Sequence, residues 1–250
     1  MSGHSKWSTI KRKKAANDAK RSKEWSKLSR FVTIAARMGG GDMATNSRLR
    51  LAVEKAKAAN MPRDNIEKAI KKGTGELGAA HYEEVLYEGY GPGGVAIMCQ
   101  AVTDNRARTS PEIKKIFERS GGNLGAHNSV SYLFSQKGVF AIDADGVEEE
   151  RLMEIALENG GEDVTGAGGM FEVTCPPDSF GDLQTALEAA GIVPASADVT
   201  MLASSSVQPD ADEARKIMRL VEALDDHEDV NSVSSNCDIP DEVMKELAQE

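Results

Sequence analysis

Between Ser5 and Arg30 the chain carries ten basic residues and only two acidic ones, Asp18 and Glu24. The spacers are small or polar: Ser5, Ser8, Thr9, Ala15, Ala16, Asn17, Ala19 and Ser22. Such a stretch cannot bury a core of its own, and it repels itself unless an anion lies near. Lys6, Lys11, Arg12, Lys13, Lys14, Lys20, Arg21, Lys23 and Lys27 are therefore candidate contacts to a polyphosphate backbone. Both tryptophans fall in this stretch. Trp25 starts an apolar stripe and reads as core. Trp7 has no apolar neighbours, and either stacks on a base or folds back on a helix.

The formal net charge of −10 conceals a split. Residues 1–72 hold nineteen Lys and Arg against six Asp and Glu, and the remainder holds eleven against thirty-four. One end attracts a polyanion and the other repels it, which orients the chain on that partner. The acidic part by itself reads as a solvated surface. The 250 residues suffice for two or three domains. Three isolated cysteines, Cys99, Cys175 and Cys237, argue for a reducing compartment and against a disulfide framework. No CxxC or HxxxH spacing occurs, so no metal site or cofactor is expected. No apolar run reaches membrane-span length, and the basic start is not followed by a secretory apolar segment. These features predict a cytoplasmic protein without a membrane partner.

Apolar spacing predicts three helices in the first eighty residues. The first runs from about 15 to 38, with Trp25, Leu28, Val32 and Ala35 on one stripe, and Gly39-Gly40-Gly41 ends it. The second runs from about 46 to 60, with Arg48 and Arg50 outward as further candidate contacts. Pro62 opens the third. Strands are expected at 81–88 and 94–102, then a helix from Pro111 capped by Thr109 or Ser110, and a strand at 130–134. Residues 137–198 read strand-helix-strand-strand-helix-strand, with a closing strand at 192–197. With that segment set aside, the flanking pieces repeat the same order, ending in a strand at 199–205, a helix at 211–226 and a strand at 230–235. The predicted fold is α+β and multidomain. A three-helix domain (1–80) precedes two ferredoxin-like βαββαβ domains, one (137–198) inserted in the other (81–136 plus 199–250).

Gly89 to Gly94 satisfies GxGxxG, but a strand follows where a dinucleotide site needs a helix, and Pro92 removes a donor amide. It reads as a hairpin turn. Arg106 and Arg108 sit between a strand and a helix. Two readings stay open for them: an anion contact, or hydrogen bonds that fix the loop to Asp104 and to carbonyl groups. His4 beside Ser5 lacks an orienting partner or a nucleophile elbow, and no carboxylate pair stands out. No catalytic residue is therefore assigned, and the sequence makes no case for an enzyme.

Gly3-His4-Ser5-Lys6-Trp7, Lys13 to Arg21, Gly39 to Asp42, Arg48-Leu49-Arg50, Tyr87 to Gly94, Asp104 to Thr109, Gly121 to Gly125 and Ser131 to Phe134 closely resemble the YebC/PmpR family. The resemblance covers nearly the whole chain. Ser47 departs from it, since many relatives carry Pro there. The resemblance implies three domains, a helical one and two α+β ones. It also implies either DNA-binding transcriptional control or a ribosome-associated translation role that relieves stalling. Mitochondrial members are translational activators of cytochrome c oxidase.

Three functions are weighed. The first is a nucleic-acid-binding regulator, on ribosomal RNA or on DNA. The second is a sensor of a small molecule, although no obligate small-molecule ligand is expected. The third is an unrecognised enzyme. The basic end favours the first. A DNA reader needs a helix that presents base-reading side chains to the major groove. Ser5 to Arg21 looks instead like an arm that orders along RNA phosphates, so the ribosome is slightly preferred.

Overall fold

The structure, a computed structural model, describes residues 18–78 and 82–239. Its helical region comprises α1 (Asp18–Gly39), α2 (Ser47–Ala58) and α3 (Arg63–Gly73). The expected stripe of α1 does bury. Val32, Ala35 and Ala36 pack with Leu49, Ala52, Val53, Ala56, Met61, Ile66 and Ala69, and Trp25, Leu28 and Phe31 close one side. Trp25 keeps its indole N–H satisfied on the Ala59 carbonyl at 2.9 Å, as a half-buried polar tip requires. Asn46 caps α2 by accepting from the Leu49 amide at 3.0 Å. Because so many core residues are alanine, the helices approach closely. A Cβ on Gly73 would lie 2.3 Å from the Thr33 carbonyl oxygen, so only glycine fits where α3 ends against α1.

The first sheet has the order β3-β1-β2-β8, formed by β1 (Glu83–Tyr90), β2 (Ala96–Thr103), β3 (Asn123–Leu124) and β8 (Val230–Ser235). The Gly89–Gly94 segment makes the hairpin turn between β1 and β2, which pair antiparallel from Tyr90↔Ala96 to Glu83↔Thr103. Gly93 and Gly94 both take positive φ, where a side chain would be strained. The helices α4 (Arg106–Arg119) and α7 (Ala211–Asp225) accompany this sheet in the chain. Ile113, Phe117, Ile217, Leu220 and Leu224 are buried with Val95, Ile97 and Cys99.

The second sheet has the order β5-β6-β4-β7, formed by β4 (Phe134–Asp143), β5 (Asp163–Ala167), β6 (Met170–Cys175) and β7 (Ser196–Ala203). With α5 (Glu149–Glu158) and α6 (Phe180–Ala189) its chain order is βαββαβ, the ferredoxin-like plan. Phe140 of β4 stacks on Phe180 of α6 at 4.7 Å between centroids. Gly138 permits this approach, since a Cβ there would sit 2.6 Å from the Cys175 sulfur. The fold is thus α+β, with a helical N-terminal region and two four-stranded sheets, the second contributed by chain that interrupts the first. Among the described residues, no helix is long and apolar enough to cross a membrane. The chain divides into two compact units, one containing Ala15–Ser129 with Asp212–Val233 and the other Val130–Ala211.

Three expectations are corrected. The strands expected at 192–197 and 199–205 are one strand, β7, and it belongs to the second sheet, pairing with β4 from Phe134↔Ala203 to Ala141↔Ser196. The segment expected as a strand at 130–134 is a turn, Ser131–Leu133, that leads straight into β4. The first sheet is completed instead by β1, which the tight glycine turn sets beside β2, and by the two-residue β3 on its other edge, so its chain order is ββαβαβ. Helix α4 starts five residues earlier than Pro111. Asn105 is its cap, accepting from the Arg108 amide at 3.1 Å, and Pro111 lies inside the helix. Thr109 cannot cap, because it is fully buried and its hydroxyl is committed elsewhere.

Candidate nucleic-acid interface

Lys6, Trp7, Lys11, Arg12, Lys13 and Lys14 lie outside the described residues. Lys20 and Arg21 fall on the opening turn of α1, and Lys23, one turn further, is exposed. The next two basic residues of α1 turn to the end of α7. Lys27 donates to the Asp225 carbonyl, where the open carbonyls at a helix C-terminus favour a cation. Arg30 donates to the Glu228 carbonyl and pairs with the Asp229 carboxylate at 3.0 Å.

Asp229 is the hub of a buried polar cluster, with only 1% of its side chain exposed. Its Oδ2 accepts from Arg108 at 2.6 Å and from the Thr109 hydroxyl at 2.7 Å. Thr109 in turn lies 2.8 Å from the Thr103 hydroxyl, which accepts from the Asn105 amide at 2.9 Å. Burial alone would raise the Asp229 pKa. The hydrogen bonds from Thr109 and Arg108 and the charges of Arg30 and Arg108 outweigh it, and the net shift is downward. The same pairing raises Arg108 above its ordinary value, the Asp229 hydrogen bond acting first. Arg108 therefore has internal partners, Asp229 and, at 3.4 Å, Asp104. Arg106, in the first turn of α4, is exposed.

On α2, Arg48 pairs with Glu84, and its guanidinium lies 5.7 Å from the Phe31 ring centroid. Lys55, two turns on, sits over the same ring at 5.7 Å. Arg50 and Lys57 share the exposed side of α2, and Lys68, Lys71 and Lys72 are exposed on α3. The cations split into two sets. Lys27, Arg30, Arg48 and Arg108 hold the protein to itself, whereas Lys23, Arg50, Lys57, Lys68 and Lys71 present charge to solvent. The sequence treated Arg30 and Arg108 as unrelated, and the fold places them on one carboxylate. Nothing local marks Asp229 for this role except the apolar Val230 that follows, because Asp225-Asp226-His227-Glu228-Asp229 reads as a solvated acidic turn.

The cysteines supply no nucleophile. Burial pushes the Cys175 thiol up to about 11 and that of Cys237 to about 12, and it raises Cys99 as well, so all three stay protonated near neutrality.

This arrangement defines an α+β protein with a basic helical end and two sheet layers of differing charge. Family models confirm and sharpen that class. The one described as "TACO1/YebC protein N-terminal domain" matches residues 5–76, and the one described as "TACO1/YebC second and third domain" matches residues 82–237. The chain belongs to the TACO1/YebC family. A protein of Treponema denticola named "Probable transcriptional regulatory protein" is 54% identical over 96% of this chain and 98% of its own. A protein of the same description from Rhodopirellula baltica is 51% identical over 98% of this chain and 100% of its own. The crystal structure of the conserved hypothetical protein Aq1575 from Aquifex aeolicus matches with a TM-score of 0.79 and 46% identity, covering 90% of this chain and 93% of that one.

Proposed function

We propose that the chain is a nucleic-acid-binding regulator of gene expression that works by binding rather than catalysis, as a cytoplasmic translation factor that grips ribosomal RNA and relieves stalling. The observation that carries this reading is the segregation of charge. Residues 18–78 hold fourteen Lys and Arg against seven Asp and Glu, and residues 130–211 hold two against fifteen. A phosphate backbone attracts the first set and repels the second. On a ribosome the acidic layer can face protein or solvent while the basic end holds RNA. On a DNA duplex it has nothing to touch without a further partner. The candidate contacts are Lys6, Trp7, Lys11, Arg12, Lys13, Lys14, Lys20, Arg21 and Lys23, with Arg50 on α2.

The test is co-sedimentation of the full chain with ribosomes at moderate salt after DNase treatment. Retention that is lost in the Arg12→Ala/Lys13→Ala/Lys14→Ala variant, with thermal unfolding unchanged, supports the reading. A second reading, transcriptional control through DNA, is favoured by the names of the relatives, which are called probable transcriptional regulatory proteins. Specific retention of promoter fragments without ribosome association would establish that one instead.

A further inference from the structure

Helices α4 and α7 together carry eight Lys and Arg against six Asp and Glu, and one face of the pair gathers cations without acids. Arg119 in the last turn of α4, and Lys216 and Arg219 one turn apart on α7, line a hollow of about 380 Å³ closed by Pro92, Ser120 and Gly121. Its lining contains no carboxylate. All three cations are exposed, and none has a carboxylate at ion-pair distance among the described residues. Two of the nearby acids are engaged elsewhere. Asp212 pairs with Arg215 at 3.3 Å, and Glu118 with Lys114 at 3.7 Å.

Helix-end electrostatics account for Arg119, which follows the preference for a cation beside the last carbonyls. They do not account for Lys216 and Arg219, which lie in the middle of α7. Three unpaired cations that converge on a concave surface repel one another, and an anion seated among them relieves that repulsion.

Arg119 also lines a second hollow, of about 410 Å³, together with Lys115 and with Lys23 of α1. Three acids, Glu112, Asp226 and Glu228, line that hollow as well. Glu112 lies 3.0 Å from His227 Nε2, and Glu228 lies 3.7 Å from Arg30. Arg119 joins the two hollows, so Lys23 and Lys115 lead on to Lys216 and Arg219, and the part of this path that is free of carboxylates is the hollow around Arg119, Lys216 and Arg219. The first hollow, at about 380 Å³, has room for a phosphate with its sugar.

We propose that this α4–α7 face is a second RNA-backbone site, which continues the track that begins in the N-terminal arm. The inference rests on the nucleic-acid reading above, and its test separates the two. Labelled single-stranded RNA is titrated with the full chain over a series of salt concentrations, for the unaltered protein, for the arm variant Arg12→Ala/Lys13→Ala/Lys14→Ala, and for Arg119→Ala/Lys216→Ala/Arg219→Ala. If the unaltered protein fails to bind, the nucleic-acid reading falls and this site with it. If it binds, loss of two to three phosphate contacts in the α4–α7 variant should weaken affinity roughly 10- to 100-fold at moderate salt and flatten the slope of log affinity against log salt by about two. An unchanged slope and affinity in that variant, alongside loss in the arm variant, would overturn the site and leave the first reading standing. An equal loss on duplex DNA would overturn the assignment to RNA. Ultraviolet crosslinking of the unaltered protein to the same RNA is the check that does not depend on a variant. Crosslinked peptides from 106–121 or 211–225 support the site, and crosslinks confined to the first thirty residues refute it.

Discussion

The two four-stranded layers carry two helices each but differ in chain order, ββαβαβ in the first and βαββαβ in the second, and they differ in how they place charge. The first encloses a carboxylate, Asp229, between two guanidinium groups and two threonine hydroxyls, and Arg30 of α1 is one of its partners. The helical region and the first sheet are thereby tied through a polar contact with strict geometry. In the second layer Lys137 and Glu162 meet at 2.6 Å with both side chains partly exposed, and most other charges are acidic and outward. The two layers thus differ in electrostatics as well as in topology. The first layer holds a basic helix by its buried carboxylate, and the second carries an excess of acidic side chains. Sheet topology sets neither arrangement, since both depend on which side chains stand at the ends of strands and helices.

The largest effect should come from separating the layers. Residues 130–211, expressed alone, contain the whole second sheet and both its helices, so they should unfold in one cooperative thermal transition and show no affinity for RNA. The shorter segment 137–198 truncates β4 and β7 and should lose that cooperativity. A disordered spectrum for 130–211 would show that the layer depends on the rest of the chain.

Next in size is Gly73→Val. It forces a side chain into the Thr33 carbonyl and should cost about 3 kcal/mol or more by overpacking. Hydrogen exchange should accelerate across residues 18–74 and stay unchanged across 134–203.

Asp229→Asn should destabilise the protein by about 2 kcal/mol, below the full cost for a buried ion pair because Arg30 and Arg108 retain some water. The sign with pH follows from the lowered pKa. The carboxylate contributes stability above the unfolded aspartate value of about 3.9, and that contribution disappears as pH falls through the lower folded value. Denaturant titrations between neutrality and pH 3 should therefore show an acid-induced loss in the unaltered protein that is smaller in the variant. Equal slopes would refute the cluster's role.

The smallest effect belongs to Lys137→Ala. Removal of a partly exposed ion pair should shift stability by less than about 1 kcal/mol, and added salt should mask the change.

Much of this was legible in the residues. The stripe Trp25, Leu28, Val32 and Ala35, the stop at Gly39 to Gly41, the glycine turn after β1 and the βαββαβ order of the second layer all rest on local chemistry: periodicity, cap preference and backbone freedom. The charge split was legible for the same reason, being a sum over residues. The allegiance of β7 was not, because an alternating strand pairs equally well with any edge until the chain has closed on one. The start of α4 is not legible locally, because Pro111 reads as a first-turn signal, while the cap, Asn105, is held by Thr103 and Thr109 beside it. The role of Asp229 was hidden most deeply. Its partners Arg30, Thr103 and Arg108 lie more than a hundred residues away in the chain, so their shared carboxylate exists only once β8 stands beside β2 and α1 reaches the end of α7. Sequence by itself determined which faces are apolar, where turns fall and where charge accumulates. Tertiary structure alone decided which cations are used inside the molecule and which are left for a partner, because that depends on distances of a few ångströms that no local pattern encodes.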